Sequence, residues 1–166
     1  MKRTFIASIC LLAALAVQAE PKLKVINLAP NAPTQEQMAR AERYKAEVEV
    51  ASKITASETM DFLNRLHTTV SNGHELALSG NMNAVQIRNQ AIALNKLQDE
   101  GDRFGPILTP LHECKAAAID AATSWQSLVA GNAEQVDEYH QKYLAAAKQC
   151  SFAAERRANA TASLPD

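Results

Sequence analysis

Glycine and proline are scarce in this 166-residue chain, 5 and 6 respectively, and aromatic side chains make up only 5% of it. No run of β-branched or aromatic residues bounded by turns appears. Ala, Leu, Gln, Glu, Lys and Arg fill long stretches instead, which argues against strands and for an all-α fold. An excess of charge of one sign is also missing, with 17 Lys+Arg against 18 Asp+Glu. That balance argues against a nucleic-acid-binding role, and 47% hydrophobic residues argue against disorder. Four His, three Cys and one Trp leave few ways to assemble a cofactor or catalytic site.

The start of the chain departs from this pattern. Met1-Lys2-Arg3 precedes an apolar run from Phe5 to Val17, and Val17-Gln18-Ala19 places small residues where an export signal is cleaved. Residues 1–19 therefore read as a signal peptide. Its apolar core would span roughly 20 Å as a helix, against ~30 Å of bilayer hydrocarbon, so it is too short for a retained anchor. Cys10 leaves with it. No later stretch approaches the ~18 consecutive apolar residues of a membrane span. The mature chain is expected in the periplasm, with secretion beyond it as the alternative, and with no stable membrane insertion.

Residues 20–33, with three prolines and no helical period, read as an extended tether. A bundle is expected over 34–162 and a short tail over 163–166. Thr34 and Gln37 form a capping box for a first helix whose Met38, Ala41, Val48, Ala51 and Ile54 recur at helical spacing. Thr55-x-x-Glu58 can cap a new start, so the first two helices are either separate or one long rod. The second carries Leu63, Leu66, Val70 and Ala77 to about Ser79, with Gly73 as its weak point. The third carries Ala84, Ile87, Ala91, Leu94 and Leu97 and ends near Gly101 and Gly105. The fourth carries Ile107, Leu111, Cys114, Ala118, Ala121, Trp125 and Leu128, its start delayed by Pro110. The fifth carries Val136, Tyr139 or His140, Tyr143, Ala147, Cys150 and Ala154. Gly80-Asn81 and Gly131-Asn132 mark two similar corners between helices. The fold expected is an antiparallel four- to five-helix bundle built from helical hairpins, the last four helices about 20 to 28 residues each.

Two cysteines remain after signal removal, and an oxidising compartment lets them pair. Residues facing each other across an antiparallel hairpin have a nearly constant index sum. That of Cys114 and Cys150 differs by one from that of the Gly131-Asn132 corner, and both occupy seam positions. A Cys114–Cys150 disulfide between the last two helices follows, stabilising by roughly 3 to 4 kcal/mol in the chain-entropy account.

Chemical sites are weak by comparison. His112-Glu113-Cys114 lacks a second ligand pair, and neighbours on a helix point about 100° apart. Met60, His67 and His74 invite a copper reading, but each step of seven residues rises ~10.5 Å, so the stripe reads as a helix flank. Asp137-x-x-His140 is the sole approach to a carboxylate-bridged metal motif, and no Cys-x-x-Cys-His haem motif occurs. Asp99-Glu100-x-Asp102 reads as a solvated helix end. No nucleophile elbow or phosphate loop is present. No catalytic, metal or cofactor residue is assigned. Trp125 is expected between Tyr139 and Tyr143 at the closed end of the last hairpin, as core or, where exposed, as the partner-binding patch.

These readings favour a non-catalytic protein acting by protein–protein interaction, such as an adaptor, an inhibitor or immunity protein, or a chaperone-like bundle. The alternatives are a metal or haem carrier using His and Met ligands, and a structural component of an envelope or secretion assembly.

Overall fold

Residues 32–162 are described by a computed structural model, and the expected signal peptide, all of the tether but Ala32 and Pro33, and the 163–166 tail lie outside the described residues. Five α-helices follow one another: α1 (Gln35–Lys53), α2 (Ala56–Leu78), α3 (Ala84–Gly101), α4 (His112–Val129) and α5 (Ala133–Ala162), with a 3-10 turn at Asp102–Phe104. Among the described residues there is no strand, and no helix is long and apolar enough to cross a membrane.

Local chemistry sets the helix starts. Thr34 with Gln37, Thr55 with Glu58, and Asn83 with Gln86 each form a reciprocal capping box that satisfies otherwise unpaired N–H groups. The second box decides that α1 and α2 are separate, because Ile54 and Thr55 are extended between them and Ile54 is buried. Gly80 and Gly131 take positive φ, 68° and 73°, at the two corners. Asn132 Oδ1 accepts from the Gln135 N–H at 3.2 Å to start α5, while the Gln135 side chain lies 3.5 Å from the Ser127 hydroxyl.

Helices α2 to α5 form an antiparallel ring in which each packs on the next and α5 closes onto α2. The most extensive interface joins α4 to α5. Buried small residues on both helices, among them Ala117, Ala121, Ala146 and Ala153, let the two backbones lie close. Cys114 and Cys150, both fully buried, are disulfide-bonded across it with Cα atoms 4.9 Å apart. Phe62 and Phe104 plug the end of the core near the 3-10 turn, with ring centroids 4.7 Å apart. Neither belongs to the stripes identified from the sequence. Phe104 sits in a turn, where helical periodicity has no meaning.

Three expectations are corrected. The α1 stripe does not lie on the bundle core: Met38 and Ala41 are exposed, Val48 is half-buried, and within the helix Ala51 alone is buried. The ring α2–α5 already fills that core, so α1 packs on it chiefly at its C-terminal end, against the 3-10 turn and Arg157 of α5. Ile107 is not a seam residue, because α4 starts at His112 and Pro106–Thr109 forms a hydrogen-bonded turn before it. The last four helices have 23, 18, 18 and 30 residues rather than 20 to 28. α3 runs into the 3-10 turn that Gly105 ends, Pro106 and Pro110 keep α4 from starting before His112, and α5 runs past the disulfide to Ala162.

Candidate functional site

The aromatic group expected at the corner of the last hairpin is distributed differently. Trp125 is buried on α4 and lines a narrow crevice together with Val70 and His74 of α2, Gln90 and Leu94 of α3, and His140 of α5. Its indole Nε1 is buried without a hydrogen-bond partner among the described residues. Tyr143 is buried on α5, whereas Tyr139 lies half-buried on the outer flank with the Lys142 ammonium 4.6 Å from its ring centre. No ring contact joins Trp125 to either tyrosine among the described residues. Index matching gives the level of a residue along a hairpin but not its angle about the helix, and the angle separates them. Trp125 and Tyr143 are therefore interior residues, and no exposed aromatic patch forms there.

The stripe Met60, His67, His74 is the flank of α2 that meets α5. Ser151 Oγ lies 3.9 Å from Met60 Sδ, the Tyr143 hydroxyl and His67 Nδ1 share a hydrogen bond at 3.3 Å, and His74 stacks on His140 with centroids 4.9 Å apart. Each member thus has its own partner on α5. Burial, then the neighbouring His74, hold the His140 pKa below its usual value against an opposing pull from Asp137. Burial raises the Tyr143 hydroxyl pKa.

The remaining polar groups are tied into structure. His112 Nδ1–H donates to the Thr109 carbonyl at 2.8 Å, and its Nε2 lies 3.1 Å from the Glu113 carboxylate. Glu100 accepts two hydrogen bonds of 2.6 Å from Arg65, which hold its carboxyl below the usual pKa, and Asp102 pairs with Lys115 at 2.8 Å. Glu100 and Asp102 of the acidic run near the end of α3 are thus ties to α2 and α4 rather than a pair of cooperating carboxylates. Among the described residues no three His, Cys, Asp or Glu side chains converge on a point that could hold a metal ion.

What stands out is the turn before α4. Gly105 turns the chain with φ 86° and ψ −179°, a conformation essentially reserved to glycine. The buried Thr109 hydroxyl bonds to the Phe104 carbonyl at 2.8 Å and fixes the turn from within. Between these anchors Ile107 and Leu108 project with 76% and 81% of their surface exposed. On the α4 side of this ridge lies a hollow of about 350 Å3 bordered by Ile107, Ala116 and Ile119, with His112, Glu113 and Lys115 at its edge. On the other side, towards α1, lies a second hollow of about 490 Å3. Adjacent exposed large apolar residues on a rigid turn, rimmed by charge, are the usual mark of a docking surface. Reading Ile107 as the first seam residue of α4 concealed the ridge. The available signal was Gly105-Pro106 followed by Pro110, a bracket that resists regular helix and leaves the residues inside it outward.

No family model matches the chain, and neither a curated protein nor a solved structure does.

Proposed function

We propose that the chain is an exported periplasmic protein that acts by binding a protein partner, without catalysis, through the Ile107–Leu108 ridge and the hollow beside Ile119. The exposed apolar ridge on a fixed turn is the observation that carries this reading. A turn held by Gly105, Thr109 and two prolines loses little conformational entropy on docking, and its two aliphatic side chains supply apolar area to bury. Glu113, Lys115 and His112 at the rim set orientation rather than affinity. The buried disulfide fits an oxidising compartment, and the N-terminal sequence supplies the route there. Adaptor, inhibitor or immunity protein, and chaperone-like bundle are the roles in keeping with such a surface. The test is affinity recovery of the tagged protein from its native envelope with mild crosslinking, beside Ile107→Asp. A stoichiometric partner lost with the substitution supports the reading, and recovery of the same partner by both proteins overturns it.

The carrier reading draws on one observation, the stacked His74 and His140 from two different helices. Elemental analysis and an absorbance spectrum of the purified protein test it. A stoichiometric metal or haem band lost in His140→Ala would support it over the first reading.

A further inference from the structure

The hollow of about 490 Å3 lies where the end of α1, the turn before α4 and the last turns of α5 meet. Tyr44 and Val48 wall it on the α1 side, Leu108 and Pro110 on the other, and its charged lining residues are two cations, Arg156 and Arg157, with no acid. Arg157 donates to the carbonyls of Ala51, at 3.2 Å, and of Ser52, and so closes the C-terminal end of α1. Arg156 takes part in none of the ion pairs found among the described residues. An apolar slot whose charged end is cationic selects an apolar body with one anionic end.

The polar lining narrows the choice further. The Ser52 hydroxyl donates to the Glu49 carbonyl at 2.7 Å and the Thr109 hydroxyl to that of Phe104. Of the lining side-chain donors that leaves the Tyr44 hydroxyl and the two arginines, too few for the run of backbone N–H and C=O groups that an extended peptide would bring. An alkyl chain brings no such groups, and the volume lies within the roughly 300 to 1,000 Å3 of small-molecule sites.

We propose that this groove binds a medium-chain fatty acid, its alkyl chain between Val48 and Leu108 and its carboxylate on Arg156. The proposal goes beyond the protein-partner reading; the two share Leu108 and are told apart because Arg156 lines only this groove and Ile107 only the ridge hollow. The experiment is isothermal titration of the full mature chain with octanoate, decanoate, dodecanoate and dodecylammonium, each below its micelle concentration, with sedimentation run in parallel. One dodecanoate per chain is expected. Affinity rises roughly tenfold for each two carbons added, as burial of about 0.8 kcal/mol per methylene implies, until the slot is filled. Dodecylammonium binds at least about tenfold more weakly, and Arg156→Gln weakens dodecanoate by about tenfold. Arg43→Gln, on the same helix as Val48 but away from the lining, leaves binding unchanged. Absence of dodecanoate binding, equal binding of the two head groups, or indifference to Arg156→Gln overturns the proposal. A dimer that excludes dodecanoate also overturns it and assigns the groove to a second copy of the chain.

Discussion

The side-chain amide of Gln90 on α3 rests on Gly73 of α2 so closely that a Cβ at residue 73 would stand 2.5 Å from Gln90 Nε2. The same Nε2 donates to the Thr69 carbonyl at 2.7 Å. Gly73 costs α2 about 1 kcal/mol of helix propensity, but its missing side chain admits this inter-helix hydrogen bond, worth about the same. Gly73→Ala is therefore expected to be nearly neutral or mildly destabilising, because it displaces Gln90. In a Gln90→Ala background the same substitution is expected to stabilise by about 1 kcal/mol. Urea unfolding of the four proteins of this cycle checks it, and a gain of that size from Gly73→Ala alone would show that the Gln90 contact contributes nothing.

Gly105 is the opposite case. A Cβ there would meet Thr109 Cγ2 at 2.8 Å and Ala51 Cβ at 2.9 Å, in a backbone conformation that side chains rarely adopt. Gly105→Ala is expected to cost about 2 to 4 kcal/mol, strain and overpacking together. Because Ala51 is the main anchor of α1, hydrogen exchange in α1 should rise before that of the ring α2–α5. Equal acceleration throughout the protein would mean that α1 is no separate cooperative unit.

Loss of the Cys114–Cys150 disulfide releases a crosslink between residues 36 apart in sequence. The chain-entropy account gives roughly 4 kcal/mol for a loop of this size. Cys114→Ala is expected to lower the unfolding temperature markedly while leaving the far-ultraviolet helical signal of the cold protein intact, since the crosslink acts chiefly on the unfolded ensemble. A loss of helical signal in the cold would contradict this.

Acidification should weaken the α2–α5 seam through His140. In the unfolded chain this imidazole takes up a proton at its usual value of 6.5, whereas burial and His74 hold it lower in the folded protein. The unfolded state therefore binds more protons in that window. The stability His140 contributes is fully present above about pH 6.5 and is lost as pH falls towards the folded value. His140→Gln should flatten the fall in unfolding temperature between pH 7.5 and 5. An identical pH profile for the variant would remove His140 as the cause.

The ring of helices was legible because its signals are local and repeated. Gly131 and Asn132 mark the last corner, and the spacing of Leu111, Cys114, Ala118 and Ala121 marks the seam of α4, whereas Thr55 and Glu58 left a break before α2 open until the structure showed Ile54 and Thr55 extended. The disulfide was legible because a hairpin reduces pairing to register. Three things were hidden. Met38 and Ala41 follow the same spacing as core residues, yet remain exposed because the other four helices already close a core, which is a property of the assembly and not of α1. Ile107 matches the α4 period by position, but Pro106 and Pro110 take it out of the helix, so the candidate docking ridge came from a residue counted as core. Trp125 and Tyr139 share a level but point to different neighbours, which needs the rotation of each helix as well as its register.

The most direct test of the binding account is recovery of crosslinked partners from the native envelope by the tagged protein and by Ile107→Asp, an exposed position where the substitution leaves the fold unchanged. The account predicts one partner recovered in stoichiometric amount by the original protein and reduced at least about tenfold by the variant, as expected for a charge placed at the apolar centre of a docking surface. Equal recovery by the two proteins, or recovery of the protein alone, would contradict it.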